Sequence, residues 1–70
     1  MNWNPRIGDI RREKGQRQNY IANKIHVSTQ SLSAWERGEA YPKANYLFDL
    51  AEVLECKVDD LYERGENEEK

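Results

Sequence analysis

The sequence has very few of the residues that form disulfides and metal sites. It contains one cysteine and one histidine, Cys56 and His26, so an internal disulfide is excluded and a zinc site within one chain is not expected. A single cysteine is typical of a reducing cytoplasm. A long apolar run and a charged-then-apolar leader are also lacking, so neither a transmembrane segment nor a signal peptide is expected. These absences predict a cytoplasmic protein without a metal, a cofactor or a membrane partner.

The sequence also lacks the residue combinations of an enzyme active site. Only four of its 70 residues are glycine, and they form no glycine-rich loop that could hold a phosphate group. No nucleophile is paired with a base. An enzyme is therefore not expected. Apolar residues make up 37% and charged residues 34% of the chain, which suits one small helical domain.

The net charge of −2 is unevenly distributed along the chain. Residues 1–43 hold eight basic and four acidic side chains, a balance of +4, whereas residues 44–70 hold three basic and nine acidic ones, a balance of −6. Because local positive charge attracts a phosphate backbone, the first half can bind nucleic acid although the whole chain is acidic. The alternative is ordinary solvated charge in both halves.

Apolar spacing and helix-capping residues predict five helices within one domain, residues 1–63. Helix 1 begins at Asn4-Pro5, since asparagine can cap a helix and proline is tolerated at the first helical position, and it runs to about Lys14. The other four cover residues 18–25, 29–37, 44–54 and 58–63. Residues 64–70 are charged and are expected to form a disordered tail. The expected fold is all-α.

The segment over residues 18–38, QNYIANKIHVSTQSLSAWERG, is typical of two short helices joined by a tight turn. In the second helix Ser28 is a good N-cap, and Leu32 and Trp35 are three residues apart and point inward. The opposite face of that helix carries short polar side chains. Such a face can enter the major groove of DNA, where amides and hydroxyls reach base edges.

These residues resemble the Cro and phage-repressor type of helix-turn-helix, also called the XRE family. The matching positions in this sequence are Gln18, Ile21-Ala22, Val27-Ser28, Leu32-Ser33-Ala34-Trp35-Glu36-Arg37-Gly38 and Pro42. The resemblance extends from about Ile7 to Tyr62. It implies a compact five-helix, lambda-repressor-like domain with a central helix-turn-helix that binds double-stranded DNA.

The resemblance also implies roles for individual residues. It assigns base contacts to four positions of helix 3, which are Thr29, Gln30, Ser33 and Ala34. It assigns a phosphate contact to Gln18 at the start of helix 2. Arg37, Lys43 and the backbone around Tyr41 directly follow helix 3, so they are expected to hold phosphates beside the groove, and Arg17 is expected to do the same. Two alternatives stay open: Gln30 contacts only phosphate or water, and Arg17 is an ordinary surface charge.

The resemblance implies two further sets of residues. Arg11 and Glu36 match a structural ion pair that ties helix 1 to the end of helix 3, and the alternative is two unpaired surface charges. Dimer contacts in relatives come from the last helix and the residues after it. In this sequence these positions are Val58, Leu61 and Tyr62. The aromatic Phe48 of helix 4 is added to this set.

The sequence departs from the family pattern mainly at helix ends. Arg17 takes the position of a capping threonine, and Lys43 stands where a serine or aspartate cap is common. His26 takes the place of the turn glycine and is expected to adopt a left-handed conformation. Glu55 replaces a glycine after helix 4. Each missing cap costs about 0.5–2 kcal/mol, so modest stability is expected.

The sequence therefore predicts a transcriptional regulator that binds a specific double-stranded DNA sequence. We expect a repressor that binds a pseudo-palindromic operator as a homodimer with helix 3 in the major groove, because one small module contacts only a few base pairs. A separate protein regulator is a further expected partner. The alternative is an antitoxin or anti-repressor type of interaction module, whose acidic C-terminal half binds a basic partner and whose DNA binding is incidental.

Overall fold

The computed structural model describes residues 3–65, which form four α-helices, one 3-10 turn and two short strands. The elements in chain order are β1 (Trp3–Pro5), α1 (Ile7–Glu13), α2 (Gln18–Lys24), α3 (Thr29–Arg37), α4 (Ala44–Leu54), the 3-10 turn (Val58–Asp60) and β2 (Tyr62–Arg64). Within the described residues no helix has the length and apolar character needed to cross a membrane.

The helix-turn-helix agrees closely with the local sequence signals. Ser28 caps α3, because its Oγ accepts the backbone N–H of Ser31 at 3.0 Å. Gly38 ends α3 in the left-handed region at φ 80°. The predicted bounds of helices 3 and 4 agree with α3 and α4, and helix 2 ends one residue earlier than predicted, at Lys24.

The two ends of the domain form an antiparallel sheet, so the prediction of an all-α fold is wrong. Trp3 lies opposite Arg64, and Pro5 lies opposite Tyr62. The backbone N–H of Arg6 also donates to the carbonyl of Leu61 at 2.7 Å. Asn4 and Pro5 therefore lie in β1 and do not begin helix 1, which is consistent with the tolerance of proline in edge strands.

The predicted fifth helix is also wrong, because the chain makes only a three-residue 3-10 turn, Val58–Asp60, before it extends into β2. The carboxylate of Asp60 accepts the backbone N–H of Lys57 at 3.0 Å, which closes this turn. Of the predicted tail, Arg64 lies in β2. Residues 66–70 lie outside the described residues.

The core lies between the four helices and the terminal sheet. Its fully buried large side chains are Ile7, Ile21, Leu32, Leu50, Leu54 and Leu61. Trp35 is also buried and packs against Tyr46, with 5.6 Å between the ring centroids. Since each fully buried aliphatic side chain contributes about 1.5–3 kcal/mol, these contacts hold α3 against the rest of the domain.

The structure shows the departures from the family pattern at turns and helix ends where the sequence predicts them. His26 has φ 62° and Glu55 has φ 58°, so both adopt the left-handed conformation that favours glycine. The prediction for His26 is confirmed. Arg17 and Lys43 stand at the N-terminal ends of α2 and α4 and make no side-chain capping hydrogen bond. Both side chains are therefore available to solvent or to a ligand.

Candidate nucleic-acid interface

The first turn of α3 presents free polar side chains to solvent. Thr29 and Gln30 are exposed, and within residues 3–65 neither side chain takes part in a hydrogen bond. Ser33 and Ala34, one turn further along, are half-buried. The hydroxyl of Thr29 and the amide of Gln30 therefore keep their full capacity for hydrogen bonds to an external group.

The last turn of α3 carries an ion pair that was not predicted from the sequence. The guanidinium of Arg37 donates to both carboxylate oxygens of Glu39, from Nε to Oε2 at 2.9 Å and from Nη2 to Oε1 at 2.8 Å. Its Nη1 donates to Oγ of Ser33. The hydrogen bond between Arg37 and Glu39 and their opposite charges lower the pKa of Glu39 and raise that of Arg37. The guanidinium of Arg37, which was predicted to contact phosphate, is thus hydrogen-bonded to Glu39 within the domain.

The orientation of α3 is fixed by a buried ion pair to α1. Arg11 donates from Nε to Oε2 of Glu36 at 2.7 Å and from Nη2 to Oε1 at 3.1 Å. The two side chains are only 12% and 7% exposed. The remaining Nη1 of Arg11 donates to the carbonyl of Gln16 at 3.0 Å. A bidentate pair of this kind fixes direction as well as distance, so it aligns α3 relative to α1.

The same carboxylate also receives the side chain of Gln18. The amide Nε2 of Gln18 donates to Oε1 of Glu36 at 3.0 Å, which links α2 to α3. One N–H of this amide is already used, and one remains for a phosphate oxygen. Gln18 therefore connects the two helices of the motif, in addition to any contact that it makes with DNA.

Gly8 completes the surroundings of this carboxylate and is not among the residues predicted from the sequence. A Cβ at Gly8 would lie 3.0 Å from Oε1 of Glu36 and 3.1 Å from Nη1 of Arg12. Any larger residue would push against a carboxylate that Arg11 and Gln18 hold in place. A sequence signal was present, since Gly8 is an interior position of the helix predicted to begin at Asn4-Pro5, and an interior helical glycine is unfavourable by about 1 kcal/mol and calls for a packing reason.

The other predicted phosphate contacts lie on two segments that flank α3 in sequence. Arg17 is exposed at the start of α2, and Lys43 is exposed at the start of α4. Tyr41 is 61% exposed, and its ring packs against that of Tyr62 with 5.5 Å between centroids. Within residues 3–65 the backbone N–H groups of Ala40, Tyr41 and Lys43 donate to no backbone carbonyl. This loop therefore offers free donors as well as a cation.

The predicted dimer residues do not share one environment. Phe48 is 63% exposed on α4, whereas Val58 and Tyr62 are half-buried against the core. Leu61 has no exposed surface, so its assignment to a dimer contact is wrong. The assignment assumed a surface helix over residues 58–63, but the turn and strand that form there direct Leu61 inward.

Residues 3–65 bring together no group of three His, Cys, Asp or Glu side chains that could hold a metal ion. The structure thus offers an exposed polar helix face with basic groups on neighbouring segments. Such an arrangement suits a nucleic acid, because basic side chains can contact its phosphate groups and polar side chains can contact the edges of its bases.

Comparison with known proteins gives the family context. A family model described as helix-turn-helix matches residues 7–61 of the chain. The chain is 36% identical over 59 residues to YazB of Bacillus subtilis, an uncharacterized HTH-type transcriptional regulator, and this match spans 84% of the chain and 86% of YazB.

Two longer relatives match over part of their length. The chain is 37% identical over 51 residues to the HTH-type transcriptional regulator DicA of Escherichia coli, with 73% of this chain and 38% of DicA covered. It is 28% identical over 61 residues to the HTH-type transcriptional activator BcrR of Enterococcus faecalis, with 87% of this chain and 30% of BcrR covered.

A solved structure supports the fold. The crystal structure of a candidate DNA-binding protein from Bacteroides fragilis superimposes with a TM-score of 0.83 at 22% identity, and the match covers 89% of this chain and all of the other. At this identity the likeness concerns the fold alone.

Proposed function

Because this chain belongs to the helix-turn-helix family of DNA-binding transcription regulators, we propose that it binds a specific double-stranded DNA sequence with α3 in the major groove. The observation that carries the proposal is the first turn of α3, where Thr29 and Gln30 are exposed and free of internal hydrogen bonds. The amide of Gln30 can pair with N6 and N7 of adenine, and the methyl group of Thr29 can contact that of thymine.

The proposed contacts divide into base contacts and backbone contacts. Ser33 and Ala34 extend the base-contacting surface by one turn of α3. Arg17, Gln18, Tyr41 and Lys43 contact phosphates on either side of the groove, and Arg37 joins them when phosphate replaces Glu39 as its partner. Backbone contacts fix the register of the protein on DNA, and base contacts provide the sequence preference.

We propose that two copies of the chain bind a pseudo-palindromic operator. One α3 contacts only a few base pairs, and two-fold pairing doubles the contact with half-sites about one helical turn apart. Phe48 is the most exposed large apolar side chain among the described residues, so it is the proposed centre of the dimer contact.

We propose that the protein acts as a repressor in the cytoplasm. Occupation of an operator that overlaps a promoter excludes polymerase without any further surface, so repression is the simplest consequence of tight binding.

The acidic side chains that follow residue 44 are the proposed binding surface for a separate protein regulator with basic charge. If the protein is instead an interaction module, such a partner will bind more tightly than any DNA does.

The test is a binding assay with the DNA upstream of the protein's own gene. Fluorescence anisotropy at about 0.15 M salt compares this duplex with a scrambled duplex of the same composition. We expect preference for one upstream segment, with a footprint that shows two-fold symmetry. Equal binding to both duplexes at every salt concentration contradicts the proposal.

A further inference from the structure

The loop after α3 rests on the terminal sheet. The ring of Tyr41 packs against that of Tyr62 in a tilted arrangement, with 5.5 Å between centroids and 41° between the ring planes. On the other side, the ring of Pro5 lies against Gly38, since a Cβ at Gly38 would be 3.5 Å from Cδ of Pro5. Both ends of the domain therefore touch the segment between α3 and α4.

The two supporting residues are direct partners in the sheet. Pro5 lies opposite Tyr62 in the antiparallel register, so their side chains share one face. The next pair on that face is Trp3 and Arg64, and the guanidinium carbon of Arg64 lies 5.7 Å from the centre of the Trp3 ring. Pro5 and Tyr62, which share this face of the sheet, thus carry the contacts to the loop.

The sheet itself is fixed to the core. Leu61 directly precedes β2 and Ile7 lies two residues after β1, and both are fully buried. Within the loop, Pro42 is buried and the N–H of Glu39 donates to the carbonyl of Ala34 at 2.9 Å. Tyr41 and Lys43 on either side of Pro42 are exposed, and within residues 3–65 their N–H groups donate to no backbone carbonyl. The position of the Tyr41 ring therefore depends on the surface against which it packs.

We propose that Tyr62 is a positioning residue for DNA binding, which holds the ring of Tyr41 so that Tyr41 and Lys43 reach the phosphate backbone. This inference rests on the proposed function. The aromatic ring performs this role, because the hydroxyl of Tyr62 is buried and makes no hydrogen bond within residues 3–65. Tyr62→Phe should therefore bind DNA as the wild type does.

The experiment measures binding of the full chain to the upstream duplex and to its scrambled version. Tyr62→Leu removes the ring and keeps an apolar side chain, and Tyr62→Phe keeps the ring. Val53→Ala is the control for a general loss of packing, since Val53 is half-buried against the same core on α4. Each variant is assayed at a temperature where its circular dichroism shows it fully folded.

We expect Tyr62→Leu to weaken binding to both duplexes by about fivefold or more, the scale of one lost hydrogen bond. Tyr62→Phe and Val53→Ala should stay within about twofold of the wild type. A variant with both Tyr41→Leu and Tyr62→Leu should bind no more weakly than Tyr41→Leu alone, because Tyr62 acts through Tyr41.

Two results overturn the inference while the proposed function stands. One is a folded Tyr62→Leu that binds both duplexes as tightly as the wild type, and the other is losses from Tyr41→Leu and Tyr62→Leu that add fully. A wild type that binds both duplexes equally at every salt concentration overturns the proposed function, and this inference falls with it.

Discussion

The guanidinium of Arg11 and the carboxylate of Glu36 form a bidentate, largely buried ion pair that ties α1 to α3, with N–O distances of 2.7 and 3.1 Å. The same carboxylate accepts from Gln18. One acidic residue thus joins three helices of the domain. Loss of one partner leaves the other charge buried without compensation, which is the costly case for an ion pair.

The first prediction concerns the coupling of this pair. In a double-mutant cycle with Arg11→Met and Glu36→Gln, the two losses of unfolding free energy should be non-additive by at least about 0.5 kcal/mol. Urea denaturation measures the cycle. The exposed pair of Arg12 and Asp9, at 2.8 Å, is the control, and Arg12→Met with Asp9→Asn should be nearly additive. Additive losses at Arg11 and Glu36 would show that the pair does not act as a unit.

The second prediction concerns the turn between α2 and α3. His26 has φ 62°, a conformation that costs a residue with a side chain about 1–2 kcal/mol. His26→Gly should therefore raise the melting temperature or leave it unchanged, despite the entropy cost of glycine. Asn23→Gly, at an exposed helical position of α2, should lower it. A lower melting temperature for His26→Gly would reveal a stabilising contact of the imidazole.

The third prediction concerns Glu39, which binds the guanidinium of Arg37 at 2.8 and 2.9 Å. Glu39→Gln frees Arg37 for the proposed phosphate contact and removes a negative charge next to the proposed DNA-binding face. We expect affinity for specific and scrambled duplexes to rise about threefold or more, with a steeper salt dependence. Glu52→Gln, an exposed charge change on α4, should have a smaller effect. Unchanged affinity and salt slope for Glu39→Gln would mean that Arg37 does not contact phosphate.

The pKa of Glu39 also sets the pH range of this contact. Arg37 lowers the pKa of Glu39 through its hydrogen bond and its charge. The pair is therefore fully formed above the ordinary glutamate value of about 4.3, and it is lost as the pH falls through the lowered value. At neutral pH the carboxylate of Glu39 is therefore ionised and paired with Arg37.

The fourth prediction concerns the thiol of Cys56. Burial raises its pKa, the charge of Asp60 raises it further, and Lys14 opposes them to a smaller extent. Iodoacetamide should therefore modify Cys56 several times more slowly in the folded protein than in urea at pH 8, as mass spectrometry will show. Because the pKa of Cys56 is higher in the folded than in the unfolded protein, the folded state favours the protonated thiol. The stability that this preference contributes is present below about pH 8.5 and is lost as the pH rises through the folded pKa. Equal alkylation rates would contradict the burial.

The helix-turn-helix could be predicted because its signals are local. Ser28, Leu32, Trp35 and Gly38 define the start, the inner face and the end of α3 within a few residues of one another. The sheet could not be predicted in this way, since Trp3 and Arg64 are joined only by the complete fold. Pro5 is compatible with both a helix start and an edge strand, and the long-range partner decides between them.

The candidate site was predictable to a similar extent. Residue types and spacing along α3 identify Thr29 and Gln30 as outward-facing, but they do not show which polar groups are already occupied within the domain. Glu39 could have been recognised, because only Gly38 separates it from Arg37 and a left-handed residue turns the chain back. The contact between the rings of Tyr41 and Tyr62 could be found only from the three-dimensional structure.

The fifth prediction separates base contacts from backbone contacts. Lys43→Ala should weaken binding to specific and scrambled duplexes alike and lower the slope of log affinity against log salt by about one unit per subunit, because one phosphate contact is lost. Gln18→Ala, which removes a neutral side chain, should weaken both with little change in the slope. Asn23→Ala is the control, since Asn23 is exposed on α2 and makes no side-chain hydrogen bond within residues 3–65.

The most direct measurement compares Gln30→Ala with the wild type on specific and scrambled duplexes across a salt series. Gln30 is exposed on the first turn of α3 and has no internal partner among the described residues. Its loss should cost about 1–3 kcal/mol on the specific duplex and little on the scrambled one, with relaxed preference at one base position in each half-site. Equal weakening on both duplexes would contradict the account, because α3 would then not be the element that contacts bases.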